Sequence, residues 1–263
     1  MPVSSSDRAG LEGLHDGSGI SLHAIIDPAA ILGLNVVIEH FAIIKGSVEL
    51  GEGCHVHSHA VIGDIPQDRK FAGEASSVRI GEGTVIREGA TVHRATGEGN
   101  TTVVGRRCYL MTQSHVAHNC SLGNQVTLVS GALLGGHVQI DDDAIVGGNT
   151  GVHQCVRIGC LSILAAGSLV SQDVPPFALT DRRGHVAGIN LVGLRRAGYT
   201  SIERNEIKEA FRLLYRCGIP AKDIVATLSE NAHSDAVFKL IDFLKGASER
   251  GLCRSAATKS ALN

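Results

Sequence analysis

Tryptophan is absent from this chain of 263 residues, and phenylalanine and tyrosine are scarce, so aromatic side chains make up only 3% of it. An interior without large rings must be filled by aliphatic residues, which suits narrow and regular layers. Basic residues do not outnumber acidic ones, and the formal net charge is −2. The chain therefore lacks the global positive field that nucleic-acid binders use, and we expect no nucleic-acid partner.

The cysteines number seven, which is odd, and they include no C-x-x-C pair. The sequence therefore predicts neither a disulfide framework nor a zinc ribbon. No apolar run approaches the length of a membrane span, and the polar first twenty residues contain no signal-peptide core. We expect a cytoplasmic protein without a membrane span, in which residues 1–20 form a flexible extension.

A six-residue repeat runs through most of the chain. The period fits a solenoid whose coils have three short sides, so that each aliphatic residue points inward and stacks on its counterpart one coil away, at roughly 4.8 Å. The aliphatic series has three blocks: Ile26, Leu32, Ile38, Ile44, Leu50, Val56 and Ile62; then Ile80, Ile86 and Val92; then Val104, Leu110, Val116, Leu122, Leu128, Leu134, Ile140, Val146, Val152, Ile158, Leu164 and Val170.

Small residues usually stand two positions before each aliphatic, as a narrow interior requires. Cys54, Cys108 and Cys120 occupy this place, and we expect them to fill the core and not to carry redox chemistry. Glycine often follows the aliphatic, as at Gly51 and Gly105. We expect these glycines to adopt positive φ at the turns between the sides.

Two interruptions of the repeat point to one corner of the coil. Extra residues follow Ile62 and Val92, and counting the hexads in threes places both insertions on the face that carries Val116. Histidines accompany the same face in successive coils, and they are His93, His115, His118, His137 and His153. This pattern predicts a functional cleft at that corner.

Clustered imidazoles suit either general base catalysis or metal binding. No acidic residue lies close to the corner histidines in sequence, which favours the general base, although spacing alone leaves both open. His55, His57 and His59 fall elsewhere in the repeat and are interpreted as solvated corner residues.

The repeat ends at Pro175 and Pro176, which cannot donate main-chain hydrogen bonds to a further coil. After a loop, helical spacing predicts three short helices. The first has Ser201 as its N-cap and stops at Gly218–Pro220, the second begins near Ala221, and the third lies around Leu240. They are too short for a large independent domain and should pack on the coils or on a neighbouring subunit. We therefore predict coils over 21–176, with inserted loops near 63–79 and 94–102, and a loop plus helices over 177–263.

The hexads and seven further motifs together resemble the UDP-N-acetylglucosamine O-acyltransferases of lipid A biosynthesis. The motifs are D-I-P-Q-D-R-K-F-A-G-E, R-E-G-A-T-V-H-R-A-T, S-H-V-A-H-N-C, G-G-H-V, G-V-H-Q, Q-D-V-P-P-F and G-I-N-L-V-G-L-R-R. The resemblance implies a mainly β fold, a left-handed parallel β-helix of hexapeptide repeats followed by a small C-terminal α-helical region. It also implies a homotrimer with active sites between subunits. Acyl carrier protein would donate a 3-hydroxyacyl chain to the 3-hydroxyl of UDP-N-acetylglucosamine, without a cofactor or metal.

The resemblance also assigns roles to individual residues. His118 matches the general base, and Gly136 matches the glycine whose N–H stabilises the developing oxyanion. Ala166 lies where the family limits the length of the acyl chain. The other matches line the sugar, acyl and nucleotide sites, and they are Asp68, Lys70, His93, His115, His137, His153, Gln154, Asn190 and Arg196.

Three positions depart from the family's pattern. Asn119 stands beside the base where relatives can have Asp, and an amide can orient an imidazole but cannot stabilise its positive form by charge. Val192 and Ala197 replace a Glu and an Arg that are typical near the nucleotide. We therefore expect altered contacts to uridine diphosphate.

Other functions remain alternatives at this point. A 3-amino sugar nucleotide could replace the 3-hydroxyl acceptor. A sister N-acyltransferase would carry a sizeable uridine-binding domain before the repeats, and a coenzyme-A-dependent acetyltransferase would not need both loops and the helical tail. A zinc-dependent carbonic-anhydrase-like solenoid needs a histidine spacing that S-H-V-A-H-N-C does not reproduce. A non-catalytic scaffold would not need His118 and Gly136.

Overall fold

The computed structural model describes residues 19–217 and 221–256. Most of the expected N-terminal extension, and the helix stop expected at 218–220, lie outside these residues. The fold is the one predicted, a left-handed parallel β-helix of short strands followed by helices. The chain divides into two compact units, Met1–Gly131 and Ala132–Asn263.

In the first unit every third strand pairs in parallel, in the orders β1-β4-β7-β10-β13, β2-β5-β8-β11-β14 and β3-β6-β9-β12-β15. One coil thus has three sides, and Val37 lies opposite His55, eighteen positions later. The strands are β1 (Ile25–Ile26), β2 (Ile31–Leu32), β3 (Val37–Ile38), β4 (Ile43–Ile44), β5 (Val48–Leu50), β6 (His55–Val56), β7 (Val61–Asp64), β8 (Ser77–Ile80), β9 (Val85–Ile86), β10 (Thr91–His93), β11 (Thr101–Val104), β12 (Tyr109–Leu110), β13 (His115–Val116), β14 (Ser121–Leu122) and β15 (Thr127–Leu128).

The second unit continues the same pattern, with orders β16-β19-β22, β17-β20 and β18-β21-β23-β24, of which only the last pair is antiparallel. Its strands are β16 (Leu133–Leu134), β17 (Gln139–Ile140), β18 (Ile145–Val146), β19 (Gly151–Val152), β20 (Arg157–Ile158), β21 (Ile163–Leu164), β22 (Leu169–Val170), β23 (Ala178–Thr180) and β24 (Val186–Ile189). The helices are α1 (Leu191–Arg196), α2 (Ser201–Arg216), α3 (Ala221–Asn231) and α4 (Asp235–Lys245). Within the described residues, none of them combines the length and hydrophobicity that crossing a membrane requires.

The inward series predicted from the repeat forms the core of both units. Every aliphatic of that series from Ile38 onward is buried, with no more than 4% of its surface exposed. Ile26 and Leu32 are only half-buried, because β1 and β2 are edge strands whose coil is stacked on one side. The three cysteines predicted at the inward positions two residues before an aliphatic are also buried. Their role as core residues is confirmed.

Most glycines that follow the aliphatics do not serve the purpose expected from sequence, although Gly63 does have positive φ (85°). Gly51 and Gly105 do not have positive φ, and a Cβ on Gly51 would lie 2.6 Å from the backbone nitrogen of Glu82 in the next coil. These glycines therefore let adjacent coils approach each other. Positive φ occurs instead three residues before most of the aliphatics, at Gly53 and, without glycine, at Asn119 (φ 58°).

The segment after the coils contains more structure than the predicted loop. Strands β23 and β24 form a hairpin whose turn is held by the Asp181 carboxylate, which accepts from the backbone N–H groups of Arg183 and His185. The N-cap of α2 is Thr200 and not Ser201, because Thr200 and Glu203 form a capping box. The T-x-x-E motif of Thr200 and Glu203 indicates this capping box in the sequence, and it places the N-cap one residue before the predicted Ser201.

The C-terminal helices pack on the coil of their own chain, which is one of the two expected arrangements. Arg157, at the start of β20, donates to the fully buried carboxylate of Asp173 at 2.9 Å. Its guanidinium also lies over the Phe243 ring of α4, 4.4 Å from the centroid. The backbone N–H of Cys253 donates to the Asp173 carbonyl and fixes the segment after α4.

The two kinds of glycine should respond differently to substitution. In Gly51→Ala the new methyl group meets the backbone of the next coil, and we expect a loss of about 3 kcal/mol or more in the free energy of unfolding. Gly53→Ala has open space around it and adds only the strain of positive φ, about 1 kcal/mol. Urea unfolding of both variants measures the difference. Equal losses would contradict this account of coil spacing.

Candidate active site

The two inserted segments lie over the same corner of the first unit, as predicted. Residues 65–76 follow β7 and residues 94–100 follow β10, and these strands are neighbours in the sheet that continues to β13. The segments are joined to each other, since the backbone N–H of Gly97 donates to the Glu74 carboxylate at 2.7 Å and that of Gly99 donates to the Ala75 carbonyl at 2.7 Å. They form one wall beside the corner histidines.

His118 is oriented by a hydrogen-bond network that fixes its tautomer. The backbone N–H of Thr96 donates to Asn119 Oδ1 at 2.9 Å, and Asn119 Nδ2 donates to the Thr96 carbonyl at 3.0 Å, which defines the orientation of the amide. Asn119 Oδ1 lies 2.8 Å from His118 Nδ1 and can only accept there. Nδ1 must therefore carry the proton of the neutral ring, and Nε2 is the unprotonated nitrogen that carries the lone pair.

A carboxylate faces that lone pair. Asp68 Oδ2 lies 4.0 Å from His118 Nε2, and the two side chains are 20% and 12% exposed. The backbone N–H of Lys70 donates to Asp68 Oδ1 at 3.0 Å. This bond, with smaller contributions from Thr96 and His118, holds the pKa of the Asp68 carboxyl below its usual range. The Asp68 carboxylate is therefore ionised and close enough to stabilise a protonated His118.

The two histidines nearest His118 at this corner, His93 and His115, both have a lowered pKa, which favours their neutral forms at physiological pH. The rings of His93 and His115 meet edge to face with centroids 4.9 Å apart, and Thr91 Oγ1 lies 2.7 Å from His115 Nδ1. Burial, with smaller contributions from the positive forms of His93 and His118, lowers the pKa of His115 to about 4. Burial also lowers the pKa of His93, partly offset by Asp64. His118 therefore has no permanently charged imidazole beside it.

The first unit thus brings together four of the predicted site residues: Asp68, His93, His115 and His118. Lys70 is exposed and contributes a backbone donor to Asp68. An imidazole with a fixed tautomer, an unprotonated Nε2 and an ionised carboxylate 4.0 Å away can take a proton from a hydroxyl placed beside both groups.

In the second unit, four predicted residues lie at the turns that follow β16 and β19. These strands pair with Leu134 opposite Val152, so that Gly136 and Gln154 occupy equivalent positions one coil apart. Gly136 is buried, and its carbonyl accepts from the backbone N–H of Cys155 at 3.0 Å. His137, His153 and Gln154 are exposed.

The residues predicted near the nucleotide and the acyl end also lie in the second unit. Asn190 is buried and is the N-cap of α1, where its Oδ1 accepts from the N–H of Gly193 and its Nδ2 donates to the Leu161 carbonyl, both at 2.8 Å. Its amide is thus engaged in holding α1. Arg196 is exposed in the last turn of α1, and Ala166 is exposed at the turn before β22.

The chain is similar to known proteins over most of its length. A family model described as Udp N-acetylglucosamine O-acyltransferase, Domain 2, matches residues 173–253. A second model, Bacterial transferase hexapeptide (six repeats), matches residues 29–64. The acyl-[acyl-carrier-protein]--UDP-N-acetylglucosamine O-acyltransferase of Xanthomonas campestris pv. campestris (strain B100) is 44% identical over 253 residues, which cover 88% of this chain and 96% of that protein. The chain belongs to the UDP-N-acetylglucosamine O-acyltransferase family.

Solved structures of the family have the same fold. The enzyme of Bacteroides fragilis 9343 superposes with a TM-score of 0.83 at 33% identity, over 89% of this chain and 99% of that one. The enzyme of Campylobacter jejuni superposes with a TM-score of 0.79 at 35% identity, again over 89% and 99%. The family assigned from the motifs is therefore confirmed.

Two features of this family member's site were missed from sequence. Thr96, in the second inserted segment, holds the Asn119 amide through its backbone, and only the packing of that segment reveals it. Asp68 was expected at the sugar site from the resemblance, but its carboxylate beside His118 Nε2 was not, because no acidic residue lies close to the corner histidines in sequence. The left-handed backbone of Asn119 could have been predicted from the sequence. Asn119 lies three residues before Leu122, where the coil needs positive φ, and asparagine tolerates that conformation.

The low pKa of His115 makes stability depend on pH. Between pH 6.5 and about 4 the unfolded chain protonates this ring and the folded chain does not, so the free energy of unfolding falls as the pH is lowered through that window. We expect His115→Gln to reduce the slope by up to about 1.4 kcal/mol per pH unit. Urea unfolding of both proteins at several pH values measures it, and identical slopes would rule out a neutral His115.

Proposed function

We propose that this chain transfers a 3-hydroxyacyl group from acyl carrier protein to the 3-hydroxyl of UDP-N-acetylglucosamine, the first step of lipid A biosynthesis, with His118 as general base. Membership of the family supports the substrates. The network from Thr96 through Asn119 to His118 supports the mechanism, because it leaves Nε2 without a proton.

In the proposed reaction, His118 Nε2 takes the proton of the sugar 3-hydroxyl while that oxygen attacks the thioester carbonyl carbon. The Gly136 N–H stabilises the negative oxygen of the tetrahedral intermediate. The intermediate collapses with cleavage of the carbon–sulfur bond, and His118 returns its proton to the departing sulfur. The products are the O-acylated sugar nucleotide and the free thiol of the carrier protein.

Asp68 supplies the charge that Asn119 lacks. When His118 becomes an imidazolium, the Asn119 amide still accepts from Nδ1–H but contributes no negative charge. The ionised Asp68 carboxylate lies 4.0 Å from Nε2, close enough to favour the charged ring. Asp68 also faces the position of the incoming hydroxyl, which fits its proposed contact with the sugar.

Among the described residues, His93 Nδ1 is buried without a hydrogen-bond partner. Buried polar atoms are normally paired, so a substrate group is a suitable partner for it. Lys70, His115, His137, His153, Gln154 and Arg196 are proposed to line the sugar, acyl and nucleotide sites, and Asn190 to contribute near the nucleotide. Ala166 is proposed to limit the acyl chain.

We also propose a homotrimer in the cytoplasm, with active sites between subunits. Leu133 and Leu169 point outward from β16 and β22 and are 51% and 77% exposed. Exposed aliphatic residues on the outer face of one sheet, here two coils apart, suit a subunit interface. Light scattering of the pure protein should give the mass of three 27.5 kDa chains.

Acyl transfer from a length series of 3-hydroxyacyl carrier proteins to UDP-N-acetylglucosamine tests the proposed function. His118→Ala removes the base, and we expect it to lower kcat by about 100-fold or more. His59→Ala is the matched control, since His59 stacks on Phe41 at 5.3 Å, outside this network, and it should retain activity. The preferred donor length reports on Ala166.

Two results would contradict the proposal. Wild-type protein that is trimeric and folded but transfers from no donor would exclude the O-acyltransferase activity, and the 3-amino sugar nucleotide would be the next acceptor tested. Full activity in His118→Ala would be consistent with the proposed substrates but would exclude His118 as the general base.

A further inference from the structure

We propose that Glu39, His55 and His57 form a binding site for a divalent transition-metal ion such as Zn²⁺, separate from the site around His118. His55 Nε2 lies 2.9 Å from Glu39 Oε1, and His57 Nδ1 lies 3.0 Å from the same oxygen. The ligand atoms of all three side chains lie within 4.8 Å of one another.

The distances suit tetrahedral coordination. Zinc bonds of 2.0–2.1 Å to imidazole nitrogen and carboxylate oxygen, at tetrahedral angles, place neighbouring ligand atoms about 3.3 Å apart. The two nitrogen–oxygen separations are shorter by only a few tenths of an ångström, so small side-chain rotations would admit the ion. Two imidazoles and one carboxylate leave a fourth position for water.

The repeat itself builds the cluster. His55 and His57 flank the inward Val56 of β6, so both rings point away from the core, and Glu39 occupies the place of His57 one coil earlier, directly after β3. The imidazole rings stack with centroids 4.0 Å apart and an interplanar angle of 18°. Two stacked rings aimed at one oxygen suit neutral ligands of a shared ion better than two adjacent imidazolium ions.

The carboxylate is held for this role. Its second oxygen, Oε2, accepts from both the N–H and the hydroxyl of Ser58, at 3.2 and 3.1 Å, which leaves Oε1 facing the imidazoles. Outer hydrogen bonds of this kind orient metal ligands. Burial raises the pKa of Glu39, but hydrogen bonds from His55 and His57 outweigh it and hold the pKa far below its usual range. The carboxylate is therefore ionised.

A second acidic group strengthens the attraction for a cation. Glu88 Oε1 lies 3.3 Å from His57 Nδ1, and the Glu88 carboxylate is held by Arg87 and by the Thr112 hydroxyl. The site lies on the sheet of β3, β6 and β9, whereas His118 follows β13 of a different sheet. Occupancy by a metal is thus independent of the proposed acyl transfer.

The test is Zn²⁺ binding by untagged full-length protein after treatment with a chelator. Equilibrium dialysis with elemental analysis should give one ion per chain. Loss of an outer-shell partner costs about 10- to 100-fold in metal affinity, so loss of a direct ligand in Glu39→Gln or His57→Gln should cost about 100-fold or more. Co²⁺ should show the visible absorption of a tetrahedral site in wild type and lose it in both variants.

His59→Gln is the matched control, because it removes an imidazole two positions from His57 but outside the cluster, and its affinity should equal that of wild type. Circular dichroism checks that each variant is folded. The proposal is overturned if folded wild type binds no stoichiometric Zn²⁺. It is equally overturned if Glu39→Gln binds as tightly as wild type, or if His118→Gln abolishes binding and His57→Gln does not. None of these readouts uses acyl transfer, so either proposal can fail without the other.

Discussion

The parallel stacking of one coil on the next is the constraint on which the rest of this structure depends. Each inward aliphatic must lie over its counterpart eighteen positions away, as Ile38 does over Val56, and glycines such as Gly51 keep the backbones close enough for the ladder to form. Extra residues can then leave the coil only at a corner, provided the inward series resumes in register. Both insertions obey this rule, and the wall that they build stands beside His118 for that reason.

The site of the first unit depends on that wall reaching back to the coil. Thr96 fixes the Asn119 amide, the amide fixes the His118 ring, and Asp68 from the first segment faces the unprotonated nitrogen, Nε2. The left-handed turn that the coil needs at Asn119 (φ 58°) places the amide between the ring and Thr96. A packing requirement of the fold and the proposed chemistry thus meet in one residue.

The repeat was sufficient to predict a three-sided solenoid, its core and the shared corner, because a period of six fits neither a helix nor an extended strand. The left hand of the coil came from the family resemblance. The repeat could not separate the two uses of glycine, because close approach of adjacent coils and a turn with positive φ both select the same residue. Nor could it predict the contacts made by long side chains and inserted segments, such as Asp68 with His118 or Glu39 with His55. Asp68 lies in an inserted segment whose path the repeat does not determine. The contact of Glu39 with His55 depends on side-chain rotamers, which the repeat does not specify.

The central claim is that the Asn119 amide holds His118 with its proton on Nδ1. Long-range ¹H–¹⁵N NMR of histidine-labelled protein, with the His118 ring assigned from the spectrum of His118→Gln, measures the tautomer directly. The expected result is a neutral ring with a protonated Nδ1 and an unprotonated Nε2. A neutral ring protonated on Nε2 would contradict the account, because the nitrogen facing Asp68 could not then accept the proton of a substrate hydroxyl.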